Sequence, residues 1–179
     1  TIALPSGTTE QYLELSFTAN SVQNGAQVSE FQVWGVGSGL PDLALNAPVT
    51  ASSSASGYPA ANSVDGNTSS YWEGTNGAWP TTLTANLGAA DKIGSVVLDL
   101  PPATAWSTRT QTLSILGSTN DSTFTTLVPS ATYTWNPSTG NTVTIALPSG
   151  TTEQYLELSF TANSVQNGAQ VSEFQAYAP

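Results

Sequence analysis

Little in this chain can carry covalent or acid–base chemistry. Histidine, cysteine and methionine are absent, and Lys92 and Arg109 are the only basic residues against twelve carboxylates. That excludes disulfides, thiol nucleophiles, Ser-His-Asp arrangements and metals held by nitrogen or sulfur. Paired carboxylates could in principle hydrolyse glycosides. Glu10, Glu14, Glu153 and Glu157, however, fall on the outward face of alternating segments, where solvated charge is the ordinary reading. The chain therefore reads as a non-enzyme. Its aromatic residues offer more. Trp79 and Trp106 lie among small or polar neighbours, in Asn76-Gly77-Ala78-Trp79-Pro80 and in the stretch from Pro101 to Arg109. An indole face can cover the apolar side of a pyranose ring while planar bidentate groups engage its hydroxyls. Trp106 with Arg109, helped by Tyr58, Glu73, Asn76 or Trp79, could supply that surface. In the alternative, Trp79 and Trp106 cap the ends of the fold and Arg109 pairs with Asp99 or Glu157.

The elements that must position these residues read as β throughout. Tyr155 to Thr161 alternates strictly, with Leu156, Leu158 and Phe160 on one face and Glu157 and Ser159 on the other. Similar runs cover Thr82–Leu87, Ile93–Leu100, Thr112–Leu116, Phe124–Val128, Thr132–Trp135, Thr142–Leu147 and Val171–Tyr177. Turn clusters separate them, among them Asp65-Gly66-Asn67, Asn76-Gly77, Pro101-Pro102, Thr119-Asn120-Asp121, Asn136-Pro137 and Asn167-Gly168. No window shows a helical period. Short strands at this spacing predict an antiparallel β-sandwich or jelly roll.

One repeat organises the chain. Thr1 to Gln32 recurs without a change as Thr144 to Gln175, an offset of 143 residues. The second copy follows more than a hundred residues that have no counterpart before the first, so residues 1–36 read as the last strands of a preceding repeat. Residues 37–41 read as a Gly/Ser/Pro linker, and residues 42–179 as one complete module. Trp34 and Tyr177 end equivalent last strands and read as structural. Two alternating strands alone leave an apolar face wet, so the two copies compete for the same slots. The C-terminal copy, joined by its native loop, is expected to fill them. Identity this complete implies a recent duplication or an engineered overlap.

Composition narrows the partners. A net charge of −10 offers no cation cluster for phosphates, which excludes nucleic acid and disfavours anionic membranes. No apolar run approaches the roughly 20 residues of a membrane-spanning helix. Charged residues are 8% of the chain, and five Trp, six Tyr and five Phe argue for a packed core rather than disorder. The Thr-rich, Lys-poor composition, with neither an initiating Met nor a signal-peptide pattern, reads as a mature or trimmed extracellular bacterial chain. Asn67-Thr68-Ser69 and Asn120-Asp121-Ser122 match glycosylation sequons.

The segment Tyr58-Pro59-Ala60-Ala61-Asn62-Ser63-Val64-Asp65-Gly66-Asn67-Thr68-Ser69-Ser70-Tyr71-Trp72 is unusual for a plain hairpin. An Asp-Gly-Asn turn is followed three residues later by a hydroxyl and then an aromatic pair. With Leu87-Gly88, Leu116 to Asp121 and the terminal Val171-Ser172-Glu173-Phe174-Gln175, it resembles the discoidin, or coagulation factor 5/8 type C, domain. Family 32 carbohydrate-binding modules belong to the same galactose-binding-like superfamily. The resemblance spans Leu43 to Tyr177 and implies an antiparallel β-sandwich jelly roll with a structural cation, usually calcium. Carried onto this sequence, the side-chain ligands would be Asp65, Ser70 and Glu173, with carbonyls from Asn62, Asn67, Ser70 and Ser172. A hard cation takes six to eight such oxygens, and Gly66 permits the tight turn that aims them. In the alternative, the segment is an ordinary Asx turn with Glu173 solvated. Trp72 is expected to pack beneath the loop. Galactose-binding relatives often use a histidine beside Arg and Asn, and none exists here. The loop Asn163 to Gly168 also lacks an aromatic.

These observations lead to an extracellular, non-catalytic carbohydrate-binding module, calcium-stabilised, from a tandem-repeat secreted or surface protein. Its partner would be a polysaccharide or cell-surface glycan. The alternative is a structural unit of an extracellular fibre or adhesin whose modules bind copies of each other.

Overall fold

A computed structural model describes residues 14–22, 25–29 and 40–179. The chain divides into two units, Thr1–Val36 and Gly37–Pro179. In the second unit the strands are β1 (Val49–Ala51), β2 (Trp72–Glu73), β3 (Thr81–Lys92), β4 (Ser95–Asp99), β5 (Arg109–Ser118), β6 (Thr125–Trp135), β7 (Thr142–Ala146), β8 (Thr152–Asn163), β9 (Gln170–Val171) and β10 (Glu173–Tyr177). Three single turns of 3-10 helix, Ala60–Ser63, Thr104–Trp106 and Pro137–Thr139, are the only helical segments among the described residues.

All pairings are antiparallel. A five-stranded sheet runs β1-β3-β8-β5-β6, a three-stranded sheet runs β10-β4-β7, and β2 pairs with β9 in a short ribbon. Period-two alternation builds the sandwich. Leu83 and Ala85 of β3, Leu113 and Ile115 of β5, and Leu156, Leu158 and Phe160 of β8 turn inward. They meet Val96, Leu98, Ile145, Phe174 and Ala176 of the smaller sheet in one buried cluster. The fold is the expected antiparallel β-sandwich jelly roll. On β5 the inward face continues past Leu113 to Gln111 and Arg109, both buried. The core thus turns polar at one end, and that end carries the site.

Three strand expectations change. Phe124–Val128, apart from Phe124 itself, and Thr132–Trp135 belong to one strand, β6, with Pro129 inside it. Proline is tolerated because β6 is an edge strand and its pairing with β5 shifts register between Leu113 and Leu116. Val171–Tyr177 is two strands, broken at Ser172, because Gln170–Val171 pairs with β2 while Glu173–Tyr177 pairs with β4. β1 and β2 are too short for alternation to reveal them.

The C-terminal copy of the repeat supplies most of β7, all of β8 and β9, and the first three residues of β10. In the first copy no strand forms among the described residues, 14–22 and 25–29. Phe17 is 51% exposed, whereas its counterpart Phe160 is 0% exposed. Glu14 is exposed as expected, while Glu10 and Trp34 lie outside the described residues.

Candidate functional site

At the polar end of β5 the sandwich opens into a cavity of about 520 Å³. Three stretches of sequence build it. The first is the approach to β2. Trp72 points into the core, where its Nε1 donates to the Ser53 carbonyl at 3.2 Å and to Ser54 Oγ at 3.1 Å. Alternation therefore sends its neighbours Tyr71 and Glu73 to the other side, into the cavity. The second stretch is the turn Thr104–Trp106 leading to Arg109. The third is the loop after β8 with the first residue of β9, which contribute Val165, Gln166 and Gln170.

The wall is aromatic. Tyr58 and Tyr71 stack with ring centroids 4.5 Å apart, and Trp106 meets Tyr71 edge-on at 4.7 Å. Burial and the neighbouring Tyr58 hydroxyl hold the Tyr71 phenol above its ordinary range. The floor is polar and cross-linked by hydrogen bonds within the protein. Gln170 is its hub: Nε2 donates to Glu73 Oε2 at 2.9 Å, and Oε1 accepts from Arg109 Nη1 at 2.6 Å. Its backbone exchanges two further bonds with the Gln111 side chain, at 2.8 and 2.9 Å. Gln166 Nε2 donates to Glu73 Oε1 at 2.8 Å. Arg109, 7% exposed, gives Nε to the Trp106 carbonyl at 3.0 Å, Nη2 also donates to that carbonyl, and the guanidinium lies 4.6 Å from the Trp106 ring centroid. Burial lowers its pKa, partly offset by Tyr71 and Glu73. Gly168 is needed behind this floor, because a Cβ there would sit 2.4 Å from the Gly74 carbonyl oxygen.

Of the residues expected to contact a sugar, Tyr58, Glu73, Trp106 and Arg109 line this cavity. Asn76 and Trp79 lie outside its lining. Trp79 Nε1 donates to Asn167 Oδ1 at 3.1 Å, so this indole fastens one loop to another. Arg109 is engaged with Gln170 and Trp106 rather than with Asp99 or Glu157, and Glu157 instead accepts from Thr84 Oγ1 at 3.0 Å. Sequence reasoning missed Tyr71, Gln166 and Gln170. Beginning β5 at Arg109 instead of Thr112, and applying alternation on both sides of Trp72, would have shown the floor and Tyr71.

A second site lies at the Asp65–Ser70 turn. Asp65 Oδ1 accepts from the Asn67 N–H at 2.9 Å and Oδ2 accepts from Ser70 Oγ at 2.7 Å, while Ser70 N–H and Oγ both donate to the Asn67 carbonyl. Gly66 occupies the left-handed region at φ 76°. Asn62 sits beside the turn, its Nδ2 donating to the Tyr71 carbonyl at 3.0 Å. Glu173, at the start of β10, is 1% exposed, and neither of its carboxylate oxygens makes a hydrogen bond of full geometry, although the Gly66 and Asn67 N–H groups and Asp65 lie close enough to act on it. Ser172 Oγ is likewise buried and unbonded. Burial first, and then Asp65, push the Glu173 carboxyl up to about 7, with the N–H groups of Gly66 and Asn67 offsetting part of the rise. Buried carboxylates are expected to be paired or to coordinate a metal. The donor set of carboxylate, hydroxyl and carbonyl oxygens suits a hard cation. No group of three or more acidic residues gathers among the described residues, so a cation here would draw on carbonyls and hydroxyls as well.

Residues 48–174 match the family model for the F5/8 type C domain, and the chain belongs to that family. Solved structures share the fold. A family 32 carbohydrate-binding module of AlyQ, in complex with 4,5-unsaturated mannuronic acid, is 24% identical, with a TM-score of 0.61 over 74% of this chain and 95% of that one. The family 32 module of NanJ from C. perfringens, in complex with galactose, is 22% identical, with a TM-score of 0.60 over 74% and 93%. Chitosan-binding module 2 of a Paenibacillus sp. IK-5 chitosanase/glucanase, in complex with chitotriose, is 26% identical, with a TM-score of 0.60 over 76% and 100%. No curated protein matches the sequence.

Proposed function

We propose that this chain is a non-catalytic carbohydrate-binding module that takes a sugar residue of a polysaccharide or cell-surface glycan in the cavity between Tyr58, Tyr71, Trp106 and Glu73. The carrying observation is the aromatic wall standing over a bonded polar floor, which offers apolar stacking and oriented acceptors side by side. The solved relatives bound to mannuronic acid, galactose and chitotriose support a carbohydrate ligand in this fold. Isothermal titration against a glycan panel tests the proposal: Trp106→Ala and Tyr58→Ala are each expected to weaken binding, and undiminished binding by both variants would place the site elsewhere.

A calcium ion held by Asp65, Ser70 and Glu173 side chains, with carbonyls of Asn62, Asn67, Ser70 and Ser172, completes the proposal. Bound there, it would supply the positive charge that the buried Glu173 otherwise lacks. The module would act outside the cell, in a secreted or surface protein of bacterial origin. No helix among the described residues is long and apolar enough to cross a membrane.

The identity of residues 1–32 with residues 144–175 favours a tandem-repeat parent, with residues 1–36 the end of one repeat, residues 37–41 a linker and residues 42–179 the next. The same identity supports the second reading, a fibre unit whose modules associate with copies of themselves. Sedimentation and negative-stain microscopy of a two-module protein separate the two.

A further inference from the structure

We infer that the cavity selects a sugar bearing a protonated amine, as in the glucosamine residues of a deacetylated aminoglycan, over neutral or acidic sugars. This rests on the carbohydrate reading and goes further by fixing the charge of the ligand. The chain carries a net charge of −10 and two basic residues. Of these, only Arg109 lines the cavity, and it is already committed. Its Nε and Nη2 hold the Trp106 carbonyl, its Nη1 holds Gln170, and it is 7% exposed. A uronate or sulfate would thus enter without an uncommitted cation to meet it, and would face Glu73.

Glu73 is as buried as Arg109, at 6% exposed, but differs in what it still offers a ligand. Each of its oxygens accepts one amide hydrogen bond, from Gln166 and from Gln170, and an ionised carboxylate has about four acceptor positions. Gln170 stands between Glu73 and Arg109 and bonds to both, so the two charges are linked through a neutral amide. The carboxylate therefore keeps acceptor positions to spare at the cavity floor. Tyr58, Tyr71 and Trp106 line the same cavity, and aromatic rings attract a cation. An ammonium group matches both features, since it carries three donors and no acceptor.

The test compares oligosaccharides of one length: a glucosamine oligomer, its fully N-acetylated counterpart, a neutral galactose oligomer and a galacturonate oligomer. Titration is run at about 150 mM salt, where screening over about 8 Å suppresses general attraction to an acidic surface. The glucosamine oligomer is expected to bind about tenfold more tightly than the N-acetylated one, the scale of one desolvated cation–π contact. The galacturonate oligomer is expected to bind weakest. Glu73→Gln should remove the preference, while Asp121→Asn, in a remote turn, should preserve it. The inference is overturned if N-acetylation leaves affinity unchanged, if galacturonate binds best, or if both variants lose affinity equally. In those cases the carbohydrate reading survives. If no sugar in the panel binds, that reading falls as well. Because N-acetylation alters the ligand alone, the comparison holds even if Glu73→Gln folds poorly.

Discussion

Arg109 holds Trp106 from two directions: its Cζ lies 4.6 Å from the indole centroid, and its Nε donates to the carbonyl of the same residue at 3.0 Å. A single buried side chain thereby fixes both the ring and the backbone of the turn that presents it. From sequence alone Arg109 was either a sugar contact beside Trp106 or the partner of Asp99 or Glu157. The structure makes it the brace of the aromatic wall.

Arg109→Ala is accordingly expected to cost stability as well as binding. It leaves Gln170 Oε1 and the Trp106 carbonyl without their charged donor, a loss of about 2–4 kcal/mol. Arg109→Lys should recover the charge but not the fork that reaches both acceptors, and so rescue only in part. Thermal melts of the two variants check this, and a wild-type melting temperature for Arg109→Ala would refute the bracing role.

Calcium is expected to raise the melting temperature. A ligand that binds only the native state adds about 2.7 kcal/mol at a hundredfold excess over Kd. Asp65→Ala and Glu173→Ala should each abolish the increment. Glu173→Gln is the more telling variant, because it removes the buried charge while keeping the shape, so it should be stable without calcium and indifferent to its addition. Unchanged melting of the wild type after exhaustive chelation would remove the cation from the proposal.

Asp42 provides a pH dependence away from that site. Its Oδ1 accepts from the N–H groups of Ala44 and Ala176, each at 2.9 Å, yet burial outweighs these bonds and raises its pKa above 3.8. A carboxyl whose folded value is raised favours folding when protonated. Its contribution is therefore full below 3.8 and declines as pH rises through the folded value. Asp42→Asn keeps an acceptor without the charge, so it should be more stable than wild type at neutral pH, with the gain vanishing in acid. Asp42→Ala should be less stable than Asp42→Asn by about 1–2 kcal/mol at every pH. Chemical denaturation of the three proteins across the acid range provides the check.

Deleting residues 1–36 should leave a folded, calcium-responsive module. The C-terminal copy already supplies β8, β9 and the start of β10, and the described residues of the first copy include Leu15 and Phe17 in exposed positions. An unfolded truncation would mean that the first copy belongs to the core.

The sandwich was legible because alternation marks long strands: Leu156, Leu158 and Phe160 are fixed by period two alone. The turn at Asp65 was legible because its residues are contiguous. The cavity floor was not, since Glu73, Arg109 and Gln170 are far apart in sequence and converge only through the pairing of Glu73 with Gln170 and the inward face of β5. Gln170 carries no chemical signature of its own, and its role comes entirely from standing between two charges. Trp79 was open to two readings, a stacking platform or an end cap, and a contact 88 residues away in sequence, its N–H on Asn167, could not be seen beforehand.

The contacts of Asp42 and Leu43 with Ala176 also have a mechanical meaning. The Leu43 N–H donates to the Ala176 carbonyl at 2.9 Å and the Ala176 N–H donates to Asp42, so the module's two ends are clasped side by side. Tension drawn through those ends would part this clasp first and then peel β10 from β4 pair by pair, Tyr177 from Ser95, Ala176 from Val96, and onward. The last pair in that series is Glu173 with Asp99. A cation seated on Glu173 would therefore act as a rivet at the inner end of the seam, stopping a stretched module from unravelling into its sandwich.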